Sequence, residues 1–150
     1  MSRASFEERI GYRFSDPDLL EEALRHGSAP MQEEGERSYE RLEFLGDAVL
    51  NLCVAQEMYR MLPMAGEGVL TKARASIINN RNLAQVGERI GVPASLRIDP
   101  SVRRKGAGIT RKMAADAVEA VIRAGAIPRE DLIPVRIDAV RGDHLEGTAV

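Results

Sequence analysis

Glu40-Arg41-Leu42-Glu43-Phe44-Leu45-Gly46-Asp47 opens the longest periodic stretch of the chain, Tyr39 to Leu62, which stops at Pro63. The repeat is that of a helix. Glu40, Glu43 and Asp47 stand three and four residues apart, which puts all three on one narrow stripe of its surface. Leu42, Phe44, Leu45, Val49, Leu50, Leu52 and Val54 point in nearly every other direction, so this central helix is expected to be surrounded by protein. Carboxylates crowded into such a place have raised pKa values, through desolvation and mutual repulsion, unless a cation sits among them. Gly46 adds a second sign. Inside a helix it costs about 1 kcal/mol relative to Ala, and it marks a close backbone approach by another helix or a ligand.

A later helix, about Ile109 to Ala124, repeats the arrangement. Asp116 and Glu119 lie three apart in Met113-Ala114-Ala115-Asp116-Ala117-Val118-Glu119-Ala120-Val121-Ile122, among alanines small enough for close helix packing. If these two acids face the first three across a bundle interior, an all-oxygen site results, which suits Mg2+ or Mn2+ rather than zinc. The plain alternative, a solvated acidic face, has to explain acids in two otherwise apolar helices. A carboxylate-bridged di-iron bundle would need Glu-x-x-His pairs on two helices, and the sequence contains none.

Around these two helices the chain reads as helical throughout residues 1–125. Asp16-Pro17 marks a helix start before Leu19, Leu20, Ala23 and Leu24, and residues 27–37 form a polar loop. Gly66-Glu67-Gly68 reads as a loop. Val69 to Asn79 and Asn82 to Ile90 follow as helices, the second ended by Gly91 and Pro93. No strand pattern or solenoid repeat competes, so the expected fold is an all-α helical bundle. Beyond Gly125, Pro128, Pro134, Gly142 and Gly147 break the chain, and residues 126–150 are expected to form an irregular, divergent tail.

With 150 residues, 44% hydrophobic and 29% charged, the chain fits one water-soluble domain, and no segment is apolar enough to span a bilayer. The N-terminus lacks an apolar signal region, so a cytoplasmic location is expected. Cys53, the single cysteine, reads as a small buried hydrophobe. A net charge of -2 does not by itself suggest a polyanion ligand, so any such role depends on local clustering of cations.

The run Glu40 to Asp47 resembles, without a departure, the signature of the ribonuclease III family. The similarity continues in Phe6 to Phe14, Ala23 to Ser28, Glu67-Gly68, Arg74-Ala75-Ser76, Asn79-Asn80 and Ala115 to Ala120, and so covers most of the chain. The resemblance implies the family's endonuclease-domain bundle, acting as a homodimer on double-stranded RNA, here without an attached RNA-binding domain. It implies that Glu43, Asp47, Asp116 and Glu119 bind Mg2+, with Mn2+ as a substitute, and carry hydrolysis. Glu40 and Glu67 are supporting acids, and Asp47 and Glu119 are expected to be least replaceable. The implied chemistry is metal-assisted: a water made acidic and aimed at a backbone phosphate, the leaving 3' oxygen stabilised, and two ions, if two act, about 3.5 to 4 Å apart. Products would carry 5'-phosphate and 3'-hydroxyl ends with short 3' overhangs, consistent with processing of ribosomal precursors or other structured RNA. The resemblance places Phe44 at the subunit interface, while the residues alone equally allow a core aromatic. Duplex RNA is read by shape through phosphates and 2'-hydroxyls, and Arg103, Arg104, Lys105, Arg111 and Lys112 are the candidate contacts. His26 reads as structural rather than a ligand. Neither a membrane partner nor a small-molecule cofactor is expected.

The pattern departs in two places. Arg25 stands where a threonine is usual before His26, and after Ala120 the segment Val121 to Pro128 carries Arg123 and two breakers in place of an aromatic-containing stretch and a closing helix. Uncovered helix surface and lower stability or greater dependence on dimerisation are the expected consequences of the altered C-terminus, and weak, salt-sensitive RNA affinity is expected from the absence of an RNA-binding module. The competing function is a non-catalytic RNA-binding scaffold on the same fold; retention of the four principal carboxylates argues against it.

Overall fold

Short polar residues and glycines set most of the helix ends in the computed structural model, which describes residues 1–31, 35–104, 108–125, 135–141 and 144–149, with side chains up to residue 125 except those of 103 and 104. Helix α1 (Arg3–Ile10) is capped by Ser2 and closes on Gly11 in the left-handed region at φ 68°. Helix α2 (Pro17–Ala23) starts where Asp16-Pro17 predicts, with the Asp18 N–H donating to Asp16 Oδ1 at 3.0 Å. Helix α3 (Glu40–Met61) is the longest of the described helices. Helix α4 (Glu67–Ile77) begins earlier than expected: Gly66 is its N-cap and Glu67 lies in the first turn, where the unpaired amides favour a carboxylate. Helix α5 (Asn80–Ile90) is capped by Asn79, whose Oδ1 accepts from the Asn82 N–H at 3.0 Å. Two short helices, α6 (Val92–Ser95) and α7 (Pro100–Arg104), follow α5. Helix α8 (Arg111–Arg123) is capped by Thr110, which accepts from the Met113 N–H at 3.2 Å.

Burial ranks the helices differently from sequence length. Nine of the 13 residues of α8 are buried, and this helix packs against both α3 and α5, while α4 packs on α3. Alanines and glycines make that possible. A Cβ built on Gly46 would land inside the Glu119 main chain, so α3 and α8 touch backbone to backbone at this point. Gly87 does the same for α5, less tightly, with Val118 Cγ2 at 3.2 Å and Ala114 O at 3.3 Å from the Cβ position. Phe6, Leu50, Met58, Ile77, Val118 and Val121 fill the common core.

The expectation that α3 is surrounded by protein is corrected. Its buried residues, Leu42, Gly46, Leu50, Val54 and Met58, repeat every fourth position and line only one side. On the other side Phe44 is 77% exposed and Tyr59 76%, with Leu45, Val49 and Leu52 also exposed. Period and hydrophobicity specify an apolar surface. They do not say which part of it the same chain covers.

Near the start of α3 the chain is pinned by backbone bonds. His26 N–H donates to Arg97 O at 3.0 Å, Arg97 N–H to Leu24 O at 2.8 Å, and Tyr39 N–H to Arg25 O at 2.9 Å. Arg25 itself is buried, and its guanidinium meets the Glu36 carboxylate, which compensates a charge that would otherwise be costly there.

The helical bundle expected from sequence is what the described residues between 3 and 123 form. The tail differs from its expected irregularity: β1 (Val135–Arg141) pairs antiparallel with β2 (His144–Ala149), from Val135 opposite Ala149 to Arg141 opposite His144, with a shift of register between Ile137 and Ala139. Val135-Arg136-Ile137-Asp138 does alternate with the period of a strand, but the run is short and bounded by Pro134 and Gly142. Among the described residues no helix is long and apolar enough to cross a membrane.

Candidate metal centre

The close contact at Gly46 decides where the acids fall. Because α3 meets α8 at Glu119, that residue's carboxylate and those of Glu43 and Asp116, one turn back on each helix, come together, and each of the three offers an oxygen within 4.8 Å of the others. Asp116 is 8% exposed, while Glu43 and Glu119 are half-buried. Asp47 stands one turn along α3. It is exposed, and Asn51 Nδ2 donates to its Oδ1 at 2.8 Å and to its carbonyl at 2.9 Å. Its charge is nonetheless the largest electrostatic influence on Glu119.

Electrostatics records the crowding. Burial first, then the charges of Asp47, Asp116 and Glu43, push the Glu119 carboxyl up to about 7. Glu43 is also pushed up, by burial and then by Asp116, with Lys112 pulling the other way. Lys112 Nζ lies 2.7 Å from Asp116 Oδ2 and 3.7 Å from Glu43 Oε1. The hydrogen bond to Asp116 is the main reason its own ammonium is held above the ordinary lysine range. Behind Asp116, the Tyr39 hydroxyl sits 3.5 Å from Oδ2, at the outer edge of hydrogen-bond reach, and burial keeps that hydroxyl protonated well above its usual range. The His26 ring meets Tyr39 edge to face at 5.6 Å. His26 Nδ1 accepts the Ser28 N–H at 2.9 Å, in keeping with a structural histidine.

An oxygen-only donor set of this kind fits a hard divalent cation: the residues that would hold it are Glu43, Asp116 and Glu119, with Asp47 alongside. Glu40 and Glu67 are not among the three converging carboxylates, although the charge of Glu40 still reaches Glu43. Glu40 is exposed and accepts from Ser38 Oγ at 2.9 Å, and Glu67 is exposed and accepts from Thr71 Oγ1 at 3.0 Å. Arg111 is exposed at the start of α8. Lys112, counted with the basic residues available to RNA, has its ammonium on the carboxylates instead. Lys105 and the side chains of Arg103 and Arg104 lie outside the described residues. Sequence reasoning passed over Tyr39 and the inward role of Lys112. The available signal was spacing, since Tyr39 precedes Glu43 by four residues and Lys112 precedes Asp116 by four.

Residues 16–128 match a family model described as Ribonuclease-III-like, which is well over half of the chain. The chain belongs to the ribonuclease III family. Among curated relatives, Ribonuclease 3 of Alkalilimnicola ehrlichii is 42% identical over 120 residues, 80% of this chain and 50% of that protein. Ribonuclease 3 of Phenylobacterium zucineum is 43% identical over 121 residues, 81% of this chain and 51% of that protein. The chain thus spans about half the length of the curated relatives it matches. The nuclease domain of ribonuclease III from Campylobacter jejuni superposes with a TM-score of 0.76 at 31% identity, covering 82% of this chain and 83% of that one; that structure is described as flexible in the region involved in dimer formation. A second structure of the same Campylobacter domain gives 0.74, again at 31% identity, covering 82% and 81%.

Proposed function

We infer that this chain is an endoribonuclease domain that hydrolyses phosphodiester bonds of double-stranded RNA with the help of a divalent cation, Mg2+ by its hardness and Mn2+ as a substitute. The observation that carries the reading is the convergence of Glu43 from α3 with Asp116 and Glu119 from α8. When bound, a divalent ion supplies Lewis acidity toward a phosphate oxygen and a more acidic water. The protein's part is to hold the oxygens in place. Backbone contact at Gly46 fixes the two helices, Tyr39 backs Asp116, and Asn51 holds Asp47 beside Glu119. Without the ion the Glu119 carboxyl is pushed up to about 7 by burial and its acidic neighbours, and a divalent cation held there would favour its ionised form.

Two further parts of the reading follow from surfaces. The exposed apolar face of α3, with Phe44, Leu45, Val49, Leu52 and Tyr59, is larger than scattered surface residues explain and supports a homodimer in which Phe44 lies at the interface. Arg103, Arg104, Lys105 and Arg111, around and before the start of α8, are the proposed phosphate contacts. Ribosomal precursors or other structured RNAs are the substrates this chemistry suits, with short 3' overhangs as the expected ends.

The test is cleavage of an end-labelled RNA duplex with Mg2+, with Ca2+ and with chelator, followed by mapping of the ends. Cutting is expected with Mg2+ and a loss of about a hundredfold or more for Glu119→Ala, because several kcal/mol of transition-state stabilisation depend on the cluster. A duplex that is bound but left intact with Mg2+ would replace this reading with an RNA-binding scaffold.

A further inference from the structure

Among the described residues, Lys112 is the cation seated on the carboxylate cluster, bonded to Asp116 at 2.7 Å and 3.7 Å from Glu43. The acids it touches are two of the three whose oxygens converge. An ion bound by that triad and an ammonium bonded to Asp116 would be like charges a few ångströms apart, well within the distance over which salt screens charge. The lysine is nevertheless built to leave. Its side chain is 67% exposed, and its flexible four-carbon stem places one charged atom without a rigid second bond. Its position on α8, one turn before Asp116, lets it reach the cluster from the rim rather than through the core.

We propose that Lys112 is an internal cation that competes with the divalent ion: its ammonium holds Asp116 and Glu43 together in the metal-free protein and gives way when the ion enters. The proposal rests on the metal-dependent reading above and adds to it a determinant of metal affinity supplied by the chain itself. Lys112 thereby acts as a positioning residue for two carboxylates, and its presence raises the concentration of ion needed to fill the site.

Metal affinity and thermal stability, rather than cleavage, test this. The wild-type chain, Lys112→Met and Lys112→Arg are titrated with Mn2+ in a calorimeter and melted with and without saturating Mn2+; Lys112→Gln repeats the comparison with a polar side chain in case the methionine variant aggregates. Removing the charge is expected to tighten Mn2+ binding about three- to tenfold, the range open to a largely exposed ion pair. The metal-free melting temperature should fall in the same variants, and the rise produced by Mn2+ should exceed that of wild type. Lys112→Arg should bind Mn2+ much as wild type does. Equal or weaker binding by the methionine and glutamine variants would overturn the proposal while leaving the metal-dependent reading intact. Failure of wild type and variants alike to bind Mn2+ would overturn both.

Discussion

Glu119 concentrates the electrostatics at the level of single residues, because burial and three neighbouring acids all act on it. Its folded-state carboxyl is raised from 4.5 to about 7, so the fold favours the protonated form in the absence of metal. Stability from this group is therefore complete below the unfolded value and is lost as pH rises through the folded one. The metal-free chain is expected to lose melting temperature between about pH 5 and pH 7.5, and Glu119→Gln, which cannot ionise, should lose less over that span. Melting curves in chelator across that range make the comparison; parallel profiles would show that Glu119 is not the group responsible. Tyr39 and Lys112 answer the same crowding in different ways, one with a neutral donor and one with a positive charge.

Between elements, two glycines make opposite predictions. At Gly46 an added methyl meets the main chain of Glu119, which cannot move aside without separating α3 from α8. Gly46→Ala should therefore cost about 3 kcal/mol or more despite the better helix propensity of alanine, and should disperse the carboxylate cluster as well. At Gly87 the methyl would lie 3.2 Å from a Val118 side-chain carbon and 3.3 Å from Ala114 O, a tight fit that a small adjustment relieves. There the helix-propensity gain of about 1 kcal/mol offsets the packing cost, and Gly87→Ala should remain within about 1 kcal/mol of wild type. Chemical denaturation of the two variants checks both, and a mild Gly46→Ala would mean that the two helices are not locked at this point.

For the molecule as a whole, the uncovered face of α3 is the feature that asks for a partner. Leu52 is 59% exposed, so Leu52→Asp should change the stability of an isolated subunit by no more than about 0.5 kcal/mol. In the proposed dimer the same aspartate would be driven into an apolar interface, and the protein should sediment as a monomer with an unchanged helical spectrum. Wild type that sediments as a monomer would refute the homodimer.

What the sequence determined by itself is local. Asp16-Pro17 and Gly91 act within a turn of where they stand, so the start of α2 and the end of α5 could be read from them, whereas the caps Asn79 and Thr110 fell inside the helices that periodicity drew. Likewise Glu40, Glu43 and Asp47 share a stripe, and Asp116 and Glu119 another, because the helical period alone puts them there. Gly46 signalled a close approach before its partner was known. The tertiary structure decided which helix lies at the centre, that Glu43 joins Asp116 and Glu119 while Glu40 and Glu67 stay outside, and that Lys112 turns inward. Those outcomes depend on which surface of each helix meets another, a matter of contacts between residues more than 60 positions apart that no periodicity within one segment contains.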